Sequence, residues 1–221
     1  NPTFNAAYED TNGTTTAITS DNQKLIQNNS TLRVKITNAT ALHYASLSSI
    51  SVNINGNITT ESISSSSKNI DIGTLNLSSN TPATITLTDS RGFTTTQTIT
   101  LTILEWHVPY ALIKFNRKQN FYTESEIKVK AYYSSLNNNN TITIECRYKK
   151  ESDVSWSAWQ TLTDDTTTTI NLDNRYSWNM QVRLTDRLDS YTYNNLSVGV
   201  GTPPFFIDKL RNSIGVYGFP S

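Results

Sequence analysis

Apolar and polar residues alternate with a period of two through most of this chain, and no other feature limits its fold as strongly. Leu32, Val34 and Ile36 are interleaved with Arg33 and Lys35. Ile50, Val52 and Ile54 follow, then Ile70 and Ile72, Ile85 and Leu87, and finally Ile99, Leu101 and Ile103. Successive side chains of a strand point to opposite faces, so such runs read as strands with one face on a core and the other in water. Turn residues separate them: Asn55-Gly56, Gly73, and Asp89-Ser90-Arg91-Gly92. In the last of these, Asp at the first position and Gly at the fourth suit a type I turn closed by a bulge. Residues 1–105 therefore predict about seven short strands at the spacing of a sandwich. No segment keeps a helical apolar pattern over three turns; at most one helical turn is expected, at Ala39–Tyr44.

The second half repeats the theme. Ile127, Val129 and Ala131 alternate with lysines, and Ile142, Ile144 and Cys146 alternate with Thr143, Glu145 and Arg147. Between them, Asn137 to Asn140 supply residues that tolerate the left-handed conformation of a loop. Tyr176, Trp178, Met180, Val182 and Leu184 form the strongest alternation of all and are expected to line a core. Ser30-Thr31-Leu32-Arg33-Val34-Lys35 matches Ser125-Glu126-Ile127-Lys128-Val129-Lys130, and Leu87-Thr88-Asp89 matches Leu184-Thr185-Asp186 at nearly the same offset. One supersecondary order used twice is the economical explanation. The expected fold is all-β: two tandem immunoglobulin/fibronectin-like β-sandwiches, over residues 1–107 and 108–202, with a connector and β-hairpin over 203–221. Trp106-His107-Val108-Pro109 marks the junction, because Pro ends a strand. The hairpin is too small for a core of its own, so Phe205, Phe206, Ile207, Ile214 and Val216 are expected to pack on the second domain or on another chain, a homotrimer being the natural assembly.

Composition supports strands and narrows the function. Of 221 residues, 84 are Asn, Thr or Ser, a surface of hydroxyls and amides that suits pleated sheet better than helix. The formal net charge is zero and no long basic run occurs, which argues against nucleic acid. No stretch approaches the ~20 apolar residues of a membrane-spanning helix. The single cysteine, Cys146, excludes an intramolecular disulfide. A start at Asn1-Pro2, without Met or signal peptide, points to a piece of a longer protein. Asn-x-Ser/Thr triplets at Asn38, Asn57 and Asn76 are expected by chance in such a composition.

Four segments together carry a resemblance: Ala17-Ile18-Thr19 with Ser30-Thr31-Leu32-Arg33-Val34; Thr88-Asp89-Ser90-Arg91-Gly92-Phe93 before a Thr-rich strand; Trp106-His107-Val108-Pro109 with Arg117 beyond it; and Pro204-Phe205-Phe206-Ile207-Asp208 with Ser213-Ile214-Gly215-Val216 and Pro220. In this order they resemble the minor structural proteins, tail-tip, baseplate or fibre components, of long-tailed phages of Gram-positive bacteria. The resemblance implies a virion component at the tail tip, acting outside the host cell at attachment. It would contact other phage tail proteins, and it would space and orient a distal receptor-binding domain during host adhesion. Direct binding of host cell-wall polysaccharide by these domains is one alternative, and repeat domains of a bacterial surface adhesin are another.

Enzyme chemistry finds little footing. His43 and His107 are the only histidines, and no nucleophile-elbow signature accompanies them. Asp164-Asp165 and Asp186-Arg187-Leu188-Asp189 are the nearest carboxylate clusters, and both read as turns. No catalytic residue, metal ligand set or cofactor is expected. Aromatic residues are the better lead. Trp156 and Trp159 would face opposite sides of a regular strand, one in the core and one exposed, while Tyr191 and Tyr193 share a face. Exposed Trp and Tyr stack on sugar rings, so these four are the candidate glycan contacts.

Overall fold

The computed structural model describes residues 1–201, 205–208 and 213–216. Within them the chain forms two compact units, the first comprising Asn1–His107 with Ser134–Asn140, the second Val108–Tyr133 with the residues from Thr141 onward.

In the first unit the strands are β1 (Thr3–Asp10), β2 (Lys24–Ile26), β3 (Thr31–Thr40), β4 (Leu47–Ile54), β5 (Asn57–Ser62), β6 (Lys68–Thr74), β7 (Thr81–Asp89) and β8 (Thr94–Leu104). They build a three-stranded sheet in the order β1-β3-β6 and a five-stranded sheet in the order β2-β8-β7-β4-β5. The short β2 runs parallel to β8, and every other pairing is antiparallel. The alternation does what it should: Leu32, Val34, Ile36, Ile70, Ile50, Val52, Ile85, Leu87 and Leu101 are buried in one cluster between the sheets. At the β4–β5 turn Asn55 and Gly56 both have positive φ, 49° and 85°, which matches the twist of a two-residue hairpin. The outward side of the five-stranded sheet is a floor of hydroxyls, with Thr84 opposite Thr98, Thr86 opposite Thr96 and Thr88 opposite Thr94.

The second unit contains β9 (Tyr110–Arg117), β10 (Glu124–Tyr132), β11 (Thr143–Lys150), β12 (Gln160–Thr161), β13 (Thr167–Asn171), β14 (Trp178–Thr185) and β15 (Ser190–Val198). Its sheets run β13-β10-β9 and β12-β11-β14-β15. Strand for strand this is the order of the first unit without β2, so each unit is an immunoglobulin/fibronectin-like sandwich. The repeated sequence segments fall on equivalent strands, β3 with β10 and β7 with β14. Its core gathers Ile127, Val129, Ile144, Cys146, Ile170, Leu172, Met180, Val182 and Leu184. Beyond it, β16 (Phe205–Asp208) and β17 (Ser213–Val216) form an antiparallel hairpin.

Three local expectations need correction. No helical turn forms at Ala39–Tyr44: β3 continues to Thr40, and His43 and Tyr44 take φ of 53° and 62°, which no right-handed helix accommodates. The helix is instead α1 (Gly13–Thr19), a Thr-rich segment of poor helix propensity. Asn12 caps its first turn by accepting from the Thr14 N–H, Ser20 closes it in the left-handed region, and the buried Thr15 hydroxyl donates to Asp10 Oδ2 at 2.5 Å. Finally, Tyr176 lies outside β14 and is exposed, leaving Met180, Val182 and Leu184 as the fully buried part of that run.

Candidate functional site

The outward face of the four-stranded sheet in the second sandwich is set by register. β11 presents Glu145, Arg147 and Lys149 outward while Ile144 and Cys146 point to the core, and β14 presents Asn179, Gln181 and Arg183. Arg183 donates two hydrogen bonds to Glu145 Oε2, at 3.0 and 2.6 Å, and Arg147 donates to Gln181 Oε1 at 2.6 Å. Both tryptophans lie against these groups. The Trp159 ring sits between Arg183 and Arg147, whose guanidinium carbons are 4.3 and 4.5 Å from its centroid, and Trp156 sits between Arg147 at 5.2 Å and Lys149 at 5.4 Å. The result is an alternating ladder, Arg183–Trp159–Arg147–Trp156–Lys149. Each step contributes about 0.5–1 kcal/mol when exposed to water.

Here the structure overturns the expectation that one tryptophan is core and the other outward. Residues 156–159 are not a regular strand. Ser157 lays itself beside Tyr148, donating its N–H to the Tyr148 carbonyl at 2.9 Å and accepting from the Tyr148 N–H through Oγ at 3.1 Å. Both indoles are half-buried on the same outer face. The arginines were legible as outward positions of alternating runs, but the ladder was not, because its members come from three separate segments.

Tyr191 and Tyr193 do pack together, edge to face with centroids 5.0 Å apart. They stand opposite Leu184 and Val182, on the core side of β15, so they do not join the tryptophans. Tyr193 packs on the core, and its hydroxyl accepts from the Ala111 N–H at 2.8 Å and donates to the Ala111 carbonyl at 3.3 Å. Tyr191 is 48% exposed. The four aromatic candidates thus form two sites rather than one. The side chains of Phe205, Phe206, Ile207, Ile214 and Val216, expected at an oligomer interface, lie outside the described residues.

The carboxylate clusters serve as turn organisers. Asp186 Oδ1 accepts from the N–H groups of Leu188 and Asp189 at 2.7 and 2.8 Å. Asp89 Oδ1 accepts from the Arg91 and Phe93 N–H groups, and its Oδ2 from the Arg91 guanidinium at 2.8 Å. The Arg91 guanidinium beside Asp89, helped by those backbone donors, holds its carboxyl below the ordinary value. Asp164 Oδ1 accepts from the Ala131 N–H, and Asp165 pairs with Lys128 and Lys130. Among the described residues no group of three His, Cys, Asp or Glu converges as a metal site.

Arg117, at the junction motif, is the residue that sequence reasoning left without a role. Its guanidinium donates to the carbonyls of Gly199, Tyr122, Leu172, Asp173 and Tyr176, at 3.0–3.4 Å, and so ties three loops at one end of the second sandwich. Burial pulls its pKa below the ordinary arginine value. Backbone carbonyls leave no trace in a side-chain pattern, which is why no motif announced this role.

No protein-family model matches the chain. No curated protein matches it either. Among solved structures, one match is the chicken CNTN1 FN1-FN3 domains, 10% identical, with a TM-score of 0.33, covering 80% of this chain and 64% of that one.

Proposed function

We propose that this chain is a structural and adhesive module of the tail tip of a long-tailed phage of Gram-positive bacteria, spacing and orienting a distal receptor-binding domain. The observation that carries the reading is the tandem itself: one strand order used twice, each copy with its own sealed core. Several of its charged groups hold turns and loops: Asp89, Asp186 and Arg117 each satisfy several backbone groups. Its partners in this reading are other tail proteins.

Gold-labelled antibodies raised against the chain should mark the tail tip of the virion in electron micrographs, and tail genes should flank its coding sequence. Flanks that encode further tandem copies and a cell-wall anchor would instead identify a bacterial surface adhesin.

A further inference from the structure

The second sandwich keeps hold of its chain after its last strand has ended. β15 stops at Val198, which is also the last residue of that strand to pack on the core. The next three residues, Gly199, Val200 and Gly201, are nevertheless fixed at both ends. Arg117 donates from Nε to the Gly199 carbonyl at 3.0 Å, and the Gly201 N–H donates to the Asn174 carbonyl at 2.7 Å. Asn174 in turn donates through Nδ2 to the carbonyl of Phe121, in the β9–β10 loop. The same Arg117 guanidinium takes the carbonyl of Tyr122 in that loop, and those of Leu172 and Tyr176 in the β13–β14 loop that carries Asn174. One arginine therefore fixes both the gripped segment and the two loops that grip it.

Gly201 fits this place because it has no side chain. It is buried, and a β-carbon built on it would lie 2.8 Å from the Asn120 carbonyl oxygen, 2.9 Å from Asn174 Cβ and 3.0 Å from Phe121 Cα. Those distances are well inside the ~3.5–4.0 Å of a comfortable carbon contact. At Gly199, two residues earlier, the same β-carbon would meet no atom within 4 Å. Neither glycine has a positive φ, so space rather than backbone conformation sets Gly201 apart.

The grip adds little apolar burial, since Val200 is 43% exposed and none of the three residues joins the core. What it restrains is the direction in which the chain leaves the sandwich. The hairpin of β16 and β17 begins at Phe205, and two of the three residues between Gly201 and Phe205 are Pro203 and Pro204. A proline ring locks φ, so few rotatable bonds separate a direction set at Gly201 from the start of the hairpin.

We propose that Arg117, Asn174 and Gly201 form a latch that fixes the bearing of the chain beyond the second sandwich, with Gly201 as its positioning residue. The latch rests on the orienting part of the function proposed above and names the residues that perform it. Its failure would leave the tail-tip placement standing, which antibody labelling of virions tests separately.

The test uses the whole chain with nitroxide labels at Asn195→Cys, exposed on β15, and at Ser213→Cys, on β17, the distance between them being read by pulsed electron paramagnetic resonance. Cys146 is buried and stays unlabelled in the folded protein. The labelled parent should give one narrow distance distribution. Gly201→Ala should widen it by roughly 10 Å, the reach of a flexible link of about four residues, while the second sandwich still melts cooperatively. Gly199→Ala, where there is room for the methyl group, should leave it narrow. If Gly201→Ala does not fold, Asn174→Ala takes its place, because it removes the direct bond between the two gripping loops and should widen the distribution likewise. A parent distribution as wide as that of the latch variant would overturn the proposal, and so would equal widening by Gly199→Ala. A lower melting temperature with an unchanged distribution would also overturn it, by showing that Gly201 serves the stability of the sandwich alone.

Discussion

Gln97 in the first sandwich and Tyr193 in the second hold equivalent places. Each lies on the last strand of its unit, opposite Ile85 and Val182 respectively, and each sends its polar end across to the first strand. Gln97 donates to the Phe4 carbonyl at 2.6 Å, and Tyr193 satisfies both main-chain groups of Ala111. Strands β1 and β9 are the outermost of their sheets, and an open edge invites pairing with another chain. A side chain from inside the sandwich takes up some of those hydrogen bonds. Tyr193→Phe should therefore lower the stability of the second sandwich by about 1 kcal/mol and raise self-association, read by urea unfolding and light scattering. An unchanged midpoint and mass would remove the edge-sealing role.

Arg117 should resist conservative replacement. Lysine cannot reproduce five planar N–H donors, so Arg117→Lys and Arg117→Met should both destabilise the second sandwich by about 2–3 kcal/mol. Full rescue by lysine in thermal unfolding would show that charge, not the fork, matters there.

In the first sandwich the corresponding weight falls on Asp10. Its buried carboxylate accepts from the N–H groups of Asn12 and Thr31 and from the hydroxyls of Thr15 and Ser30. Asp10→Asn turns an acceptor of four donors into a group that must donate, at a cost of about 2–3 kcal/mol. Loss of α1 should accompany it, seen as earlier amide exchange at residues 13–19 than in the parent.

Acid should weaken the second sandwich through Asp173. The Arg175 side chain and backbone N–H hold the Asp173 carboxyl at about 2. An unfolded aspartate titrates near ~3.9, so the folded state binds fewer protons between those values. The stability that Asp173 contributes is complete above about pH 4 and disappears as pH falls towards about 2. Melting temperatures recorded from pH 5 to 2 should fall less steeply for Asp173→Asn than for the parent.

Burial pushes the Cys146 thiol up to about 11, and no neighbour counters it. At pH 8 the native protein should leave a thiol reagent unconsumed for as long as it stays folded, with one equivalent reacting on denaturation. Rapid labelling of folded protein would mean that the core opens readily.

What could be seen in advance divides along a physical line. Leu32, Val34 and Ile36 on β3, or Met180, Val182 and Leu184 on β14, announce themselves because a strand half-buried on one face repeats every two residues. The Asp89 turn was visible because its donors lie within four residues. α1 was not visible, since Thr14, Thr15 and Thr16 argue against helix, and what holds them includes the tertiary bond from Thr15 to Asp10 and the burial of Ile18 as well as the local caps. The tryptophan ladder and the Arg117 tie escaped for a related reason: their partners are distant in sequence, and in the case of Arg117 they are carbonyls that every residue possesses. Tyr110 and Tyr132 fall on alternating positions yet 22 residues apart, and only the strand register brings their rings together.

The threonine floor on the five-stranded sheet has a colloidal consequence. Proteins close to neutrality tend to precipitate, because they lack the mutual repulsion that keeps charged particles apart. This chain has a formal net charge of zero and a sequence pI near 6.9, yet the β7–β8 part of its broadest sheet face meets water through threonine hydroxyls. Hydration of that kind neither titrates nor is screened by salt. Whatever those hydroxyls contribute to keeping the particles apart is thus indifferent to brine and to acidity, unlike the share contributed by charge.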